Sequence, residues 1–453
     1  MATPGILDVT PAQLEVVERE MQLMFEESDQ LSARVKKNAK VKTISRYLYR
    51  VPYMRYRGGA FRKGSANNAS LGKGTGMLLS NFTAGYITSY RGYRVTREQQ
   101  NTSASKAQST IDVLAETVAH ATDDAMVDDD VILHTDGTGV LTGTSSAQTT
   151  TVLTFAGATD TLGVNRLREG MVVDVWKSDL SANLTAAMTN VQITAIDYAA
   201  KTVTVDQAVA NMNLQTNVIA VQGLTAYGPS SPTSFSSTWP DKTVAGGLGG
   251  DSFRHGLRYI HDVNGSDYYL GVQRSAQPQI NASRVNAQSG GITFDHGQLM
   301  IDQLIQKRSI NSGEDLTGIC HMAQRAAIQK LGTTINNVFI DSGRTDAGKA
   351  KDLLPTNHGY NDQFDYCGIP MVVSKRQDKA IIDFCNFSKW FRTEVHPIRF
   401  YDDGNGNKFF VGRGTDGTVQ SFTEFFIEAT YDVGSMDPGG DGVIDTIAVP
   451  TGW

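Results

Sequence analysis

The chain has 453 residues, 40% of them apolar and 19% charged, too apolar for disorder throughout and long enough for about three domains. No run of about 18 apolar residues occurs, which excludes a membrane-spanning helix, and Cys320, Cys367 and Cys385 are too few and too far apart for a disulfide framework or a zinc site. The net charge of -6 conceals three blocks: residues 1–30 carry -6, residues 31–97 hold fifteen Lys and Arg with no acid, and the remainder carries -15.

The N-terminus, MATPGILDVTPAQ, lacks the basic-then-apolar pattern of a signal peptide, so a soluble protein made in a reducing cytoplasm is expected. The first element reads as a helix. Thr10 stands at the N-cap, Pro11 at the first helical position and Gln13 at the capping-box spacing. Leu14, Val17, Met21, Met24 and Phe25 then form an apolar stripe that ends near Val35.

The basic block follows. Its sequence predicts a long two-stranded excursion, Tyr47 to Arg57 going out and Met77 to Tyr93 coming back, with the glycine-rich run Gly64 to Gly76 at the tip. A hairpin of that kind has no core of its own and must lie on something else. Fifteen like charges repel one another and call for an acidic surface or a polyanion. One candidate is the acidic remainder of this chain or of a neighbouring copy. The other is nucleic acid, because Tyr47, Tyr49, Tyr53, Tyr56 and Phe61 interleave with Arg46, Arg50, Arg55, Arg57 and Arg62, which suits base stacking with phosphate contact.

Ser103 to His134 is the clearest helix, with Ala107, Ile111, Leu114, Val118, Ala121 and Ala125 on one stripe. Asp123, Asp124, Asp128, Asp129 and Asp130 crowd its C-terminal end, where the helix dipole disfavours negative charge. That cost points to a cationic partner. Residues 138–226 then change in composition, with sixteen threonines and four basic residues. Short alternating runs at Met171–Trp176, Val191–Ile196, Thr202–Val205 and Val218–Val221 predict a small antiparallel β-domain inserted into a host domain.

The rest of the chain reads as mixed α+β. Helices are expected at Ser252–His261, Phe294–Ser309 and Met322–Leu331, and strands at Tyr268–Val272, Leu316–Cys320 and Gly368–Val373. A hairpin is expected around Asp403-Gly404-Asn405-Gly406, and closing strands at Thr418–Tyr431 and Gly442–Val449.

No catalytic template is met. The chain has no G-x-S-x-G, H-E-x-x-H or C-x-x-C, and Gly72-Lys73-Gly74-Thr75-Gly76 misses the Walker spacing because Gly74 follows the lysine. Asp437, Asp441, Gly442 and Asp445 resemble part of a calcium loop whose closing glutamate is replaced by Ala448. Asp403, Asn405 and Asn407 lack the central glycine of the same motif. Both read as turns, and neither a metal nor a cofactor is expected.

The order of these parts resembles the major capsid proteins of tailed phages, the Hong Kong 97 fold. The matching stretches are the spine helix closing into Thr135-Asp136-Gly137-Thr138-Gly139, the helix–strand–helix from Phe294 to Leu331, the run Tyr366-Cys367-Gly368-Ile369-Pro370-Met371-Val372-Val373, and the closing strands Ala429 to Val449. The resemblance implies an α+β fold with an N-terminal arm (1–45), an extended basic hairpin loop (46–100), a peripheral domain with its spine helix (101–137) and an inserted β-domain (138–226). The peripheral domain continues over 227–311, an axial domain spans 312–395 and the peripheral domain's return strands fill 396–453.

It further implies a shell protein that does no catalysis and assembles with itself into pentamers and hexamers of a virion head around double-stranded DNA. The implied partners are a separate scaffolding protein, a portal and a decoration protein, with no membrane. Arg46, Arg50, Arg55, Arg57, Arg62 and Lys63 would then make inter-subunit arm contacts, and Asp123, Asp124, Asp128, Asp129 and Asp130 would form an acidic docking surface. Some relatives carry Lys–Asn cross-links, and Lys63 and Lys73 lie near Asn67 and Asn68, but no activating carboxylate is identified. The alternative is a nucleic-acid-binding protein that grips DNA with segment 31–97.

Overall fold

The computed structural model describes residues 35, 42–45, 48–56, 78–96, 113–137, 139–143, 151–155, 163–177, 189–208, 217–223, 235–236, 239–240, 253–261, 268–308, 316–341, 363–402, 404, 407–413 and 419–450. The expected N-terminal helix and the Gly64–Gly76 tip lie outside them. The chain divides into two compact units. The first comprises Met1–Tyr49, Gly85–Leu133 and Phe391–Val433, and the second Arg50–Ala84, His134–Trp390 and Gly434–Trp453.

In chain order the elements begin with β1 (Lys42–Ser45), β2 (Leu48–Tyr56), β3 (Leu78–Ala84), β4 (Ile87–Thr96) and α1 (Val113–Leu133). Six strands follow: β5 (Val140–Gly143), β6 (Val152–Thr154), β7 (Val172–Lys177), β8 (Val191–Asp197), β9 (Thr202–Val205) and β10 (Asn217–Val221). After β11 (Phe235–Ser236) and β12 (Trp239–Pro240) come α2 (Leu257–Ile260), β13 (Tyr268–Tyr269), β14 (Val272–Gln273), β15 (Ser283–Asn286), α3 (Phe294–Arg308), β16 (Leu316–Cys320) and α4 (Met322–Asp341). The last are β17 (Gln363–Tyr366), β18 (Ile369–Val373), β19 (Ile382–Asn386), β20 (Trp390–Phe400), β21 (Phe409–Arg413), β22 (Val419–Ser435) and β23 (Gly442–Asp445).

The outgoing strand of the basic block, β2, pairs with β3 in a three-stranded sheet of order β1–β2–β3. The return is not one strand. It breaks at Gly85-Tyr86, and β4 joins a different sheet by pairing with β22.

In the first unit, β4 and β22 run antiparallel from Thr96 opposite Phe422 to Ile87 opposite Tyr431. Because side chains alternate across a strand, Phe425, Ile427, Ala429 and Tyr431 share one face and are all buried. Ala121, Ala125 and Asp129, one turn apart on α1, are also buried, and the Tyr93 hydroxyl donates to the Ala121 carbonyl at 3.1 Å. The strands flanking Asp403–Gly406, β20 and β21, each pair with β22 rather than with each other. The intervening residues are therefore an excursion, not a hairpin turn, and Asp402 Oδ1 tightens it by accepting from the Gly404 N–H at 2.8 Å.

The second unit contains two six-stranded sheets. One is antiparallel in the order β5–β10–β7–β8–β9–β6; β7, β8, β9 and β10 fall on the expected alternating runs, whereas β5 and β6 lie outside them. Its first and last strands in sequence, β5 and β10, are neighbours, with Val218 opposite Gly143. The other is mixed, in the order β15–β23–β19–β16–β18–β17. Its core joins Ile382, Phe384, Met371 and Ile444 of the sheet to Met300 and Leu304 of α3 and Ile328 of α4. Each such fully buried side chain is worth about 1.5–3 kcal/mol relative to exposure.

Three expected elements differ. The helix at Ser252–His261 is only the single turn α2, because Gly256 at its N-cap is extended. The strand at Tyr268–Val272 is a two-residue hairpin, turned by Leu270 at φ 45° and Gly271 at φ 83°. The helix at Met322–Leu331 runs on to Asp341. A second left-handed pair, Cys367 at φ 53° and Gly368 at φ 81°, turns β17 into β18. No described helix is long and apolar enough to cross a membrane.

Candidate functional site

Of the expected arm contacts, Arg50 and Arg55 lie on β2, whereas Arg46, Arg57, Arg62 and Lys63 lie outside the described residues, as do Lys73, Asn67 and Asn68. The acidic cluster sits on α1. Asp129 is fully buried there, accepting from Arg91 of β4 and from the Tyr431 hydroxyl at 2.5 Å. Asp128 lies 3.5 Å from Arg91 Nε. Burial alone would lower the Arg91 guanidinium, but Asp129 and Asp128 outweigh it and hold the cation above its ordinary range. Asp128 and Asp129 thus meet a cation of their own chain. Asp124 and Asp130 keep partly exposed side chains, and Asp123 is on the same helix.

The opposite face of this sheet is aromatic. Tyr90 is 58% exposed and packs edge-on against Tyr401 at 5.6 Å, which in turn meets Phe410 at 5.9 Å and Phe426 at 6.5 Å. Gly92 lies opposite Phe426, and a methyl group there would approach the ring to 2.9 Å, so the glycine lets the ring lie over the strand. The charges around these rings pair among themselves. Arg94 reaches Glu424 at 2.8 Å and lies 3.8 Å over the Phe422 ring, and Arg399 meets Glu428 at 2.6 Å. Such a neutral, aromatic face suits a protein partner better than a phosphate backbone.

The second unit buries a charge network that motif reading did not find. His261, just after α2, places Nδ1 at 2.8 Å from Asp383 Oδ1, and Arg258 Nη2 lies 3.1 Å from Asp383 Oδ2. Gln377 also donates to Asp383. The other imidazole nitrogen, Nε2, lies 3.7 Å from Asp441 Oδ2 and 3.9 Å from the Cys385 sulfur. Asp441 accepts from the Asn386 N–H at 2.7 Å and from the Trp390 indole at 3.2 Å. The fragment read as part of a calcium loop therefore turns its middle aspartate inward.

Chemically this group is not a nucleophile pair. Burial pushes the Cys385 thiol up to about 12, so it stays protonated, and a nucleophilic cysteine needs the opposite shift. Asp383 is held down at about 2; burial opposes this, and Arg258, His261 and Gln377 outweigh it. The sequence signal that could have found the cluster is Asp383 inside the otherwise apolar run Ile381-Ile382-Asp383-Phe384-Cys385, every residue of which is buried.

Two further polar features belong to the second unit. Arg166 is fully buried and donates to the carbonyls of Arg376 at 3.0 Å, His134 at 3.1 Å and Leu141 at 3.4 Å, linking the base of β5 to the loop after β18. A shallow cleft of about 370 Å³ between β15 and α3 is lined by Ser283, Arg284 and Lys307. Its cations are engaged locally, Arg284 by Asp445 at 2.5 Å and Lys307 by the Asn281 carbonyl. Among the described residues, no group of three or more His, Cys, Asp or Glu is arranged to hold a metal ion.

Compared with solved structures, the chain is similar to the cyanophage A-1(L) capsid asymmetric unit over 91% of its own length and 90% of that chain, at 10% identity and a TM-score of 0.49. The Gordonia phage Cozz structure matches over 92% of this chain and 86% of its own at 9% identity and a TM-score of 0.41. The holo-SrpI encapsulin complex of Synechococcus elongatus PCC 7942 matches over 100% and 92% at 7% identity and a TM-score of 0.41. No family model and no curated protein matches the chain. At these scores the likeness is one of outline, and a functional reading has to stand on the charge pattern and geometry of this chain.

Proposed function

We propose that this chain is a major capsid protein that self-assembles into the pentamers and hexamers of an icosahedral tailed-phage head enclosing double-stranded DNA. The observation that carries the reading is the segregation of charge: fifteen basic residues and no acid in residues 31–97, against a remainder carrying -15. Folded alone, the basic block repels itself; set against acidic surfaces of neighbouring copies, it gains orientation and register. The sequence resemblance to the tailed-phage fold and the open aromatic face of the β22 sheet support the same reading.

In this proposal Arg46, Arg50, Arg55, Arg57, Arg62 and Lys63 make contacts across subunits. The partly exposed Asp124 and Asp130, with Asp123, are the acids of α1 that would receive them. Residues 138–226 form an inserted domain, a reading supported by the side-by-side strands β5 and β10 at which the chain enters and leaves the sheet. A scaffolding protein, a portal and a decoration protein would act with the shell during assembly, in the virion or in the host cytoplasm.

Negative-stain electron microscopy beside sizing chromatography at low and high salt tests this. Closed shells or rings of uniform diameter, dissociating to capsomers at high salt, are the expected result. A chain that remains a 49.1 kDa monomer even with co-expressed scaffold, and that shifts duplex DNA with a steep salt dependence, would replace the shell with a nucleic-acid grip.

A further inference from the structure

We propose that His261 is a structural cation at neutral pH whose charge ties α2, β19 and the turn before β23 together, so that the mixed sheet of the second unit loosens as the solution becomes alkaline. The argument starts from hydrogen-bonding capacity. A neutral imidazole carries one N–H and one lone pair, whereas the imidazolium carries two N–H groups. Here both nitrogens face acceptors: Nδ1 faces Asp383 Oδ1 at 2.8 Å, and Nε2 faces Asp441 Oδ2 at 3.7 Å. The neutral tautomer with its proton on Nε2 would aim a lone pair at Asp383; the one with its proton on Nδ1 could accept from the Cys385 thiol at 3.9 Å, but would leave Asp441 without a counter-charge.

Charge balance gives the same answer. The groups around His261 are Arg258 on the preceding turn, Asp383 and Cys385 on β19, and Asp441 at the entry to β23. Gln377 and the edge of the Trp390 ring, 6.0 Å away, complete the surroundings. Beyond Arg258, Arg166 answers to Asp136 and Asp378. Arg258 is engaged with Asp383. Among the groups lining the imidazole, Asp441 then has no cation except His261, and both side chains are wholly buried. A buried carboxylate left without a counter-charge is strongly disfavoured.

The titration of His261 agrees in direction. Burial would lower its pKa, but the group stands well above 6.5. Cys385 adds to this only where its thiol is ionised. At lower pH the hydrogen bonds to Asp383 and Asp441 hold the charge, although burial raises the Asp441 carboxyl above its own ordinary value. A group whose folded-state pKa is raised contributes stability that is fully present below the unfolded value and is lost as pH rises through the folded value. On the acid side, Asp383 is held at about 2, so its contribution disappears only below the ordinary carboxylate range. The network is therefore acid-tolerant at Asp383 and alkali-labile at His261. The inference does not rest on the shell reading, because neither assembly nor DNA binding enters the measurement.

The test is the thermal unfolding of the full chain between pH 7 and pH 10, comparing wild type with His261→Gln and Asp441→Asn. Between the ordinary histidine value of 6.5 and the raised folded-state pKa of His261, the wild-type ratio of folded to open protein falls by up to about tenfold per pH unit. Its Tm is therefore expected to fall across the window, while the His261→Gln variant starts lower and runs flatter. Parallel curves for the two proteins would overturn the proposal, because a contact that is merely steric has no such slope. Should His261→Gln fail to fold, Asp441→Asn decides: removing one carboxylate lowers the folded-state pKa of His261, so the fall levels off at lower pH than in wild type. A fall that levels off at the wild-type pH would sink the idea.

Discussion

The β22 sheet of the first unit and the mixed β19 sheet of the second handle charge in opposite ways. Around β22, one face is packed and the other is open, and the ion pairs of the open face, Arg94–Glu424 and Arg399–Glu428, lie among partly exposed aromatic rings. In the mixed sheet, Asp383 stands in a strand whose five residues are all buried, answered by Arg258 and His261 from another element. Exposed pairs steer and select partners at little cost in stability. Buried ones fix a single arrangement, and losing either member is expensive. The first unit thus offers a surface to other molecules, whereas the second holds its own shape.

The sharpest way to break this contrast is Asp383→Ala, which leaves Arg258 and His261 buried without their carboxylate. A loss of about 3–5 kcal/mol is expected by urea unfolding, and a loss under 1 kcal/mol would make the network incidental. Next comes Arg91→Ala in the first unit. Asp129, with its side chain wholly buried, would lose its cation while keeping the Tyr431 hydroxyl, for a cost of about 3 kcal/mol. That result would show that the packed face of the β22 sheet follows the rule of the buried sheet.

A smaller effect lies at the start of α4. His321 Nδ1 accepts from the Ala323 N–H at 3.1 Å, and the His321 carbonyl accepts from Gln324 and Arg325, so the neutral imidazole caps the helix. Burial, with help from Lys379, lowers its pKa from 6.5 to about 4. The unfolded chain therefore binds a proton before the folded one does, and stability falls as pH drops from about 6.5 to about 4. His321→Asn keeps a capping side chain and should remove that slope in thermal scans, whereas His321→Ala should cost about 1 kcal/mol at neutral pH. The smallest effect is expected at Arg94, whose side chain is 58% exposed. Arg94→Ala should change stability by no more than about 1 kcal/mol, while sedimentation velocity reads whether the open face has lost a partner.

The same contrast explains what the sequence could reveal. Strands with one wet face announce themselves by alternation, which is why β7, β8, β9 and β10 fall on the runs Met171–Trp176, Val191–Ile196, Thr202–Val205 and Val218–Val221. The spine helix was legible for the same reason, since its polar residues mark the other side of an apolar stripe. The strand β19 was not, because a segment buried on both faces carries no period and its one charge looks misplaced without the partners. His261, Asp383 and Asp441 are far apart in the chain, and only the fold brings them together. The short hairpin at Leu270-Gly271 was hidden because a non-glycine residue adopts the left-handed conformation there. Arg91, which the sequence places in the basic block, lies on β4 beside α1 and pairs there with Asp128 and Asp129.

The adjacency of β5 and β10 has a consequence for how this protein could change. Because the chain enters and leaves the antiparallel sheet through paired strands, with Val218 directly opposite Gly143, the two ends of that segment meet at one two-stranded neck, and Arg166 within the segment adds a second tie to the Arg376 and His134 carbonyls. A two-residue turn could close the neck, since turns of that length join antiparallel neighbours. A foreign segment whose termini lie about 5 Å apart, the spacing of neighbouring strands, would meet the same two ends, but it would have to replace the donors that Arg166 supplies to the Arg376 and His134 carbonyls. The neck sets where a replacement could be joined, and the buried arginine sets what it would have to bring.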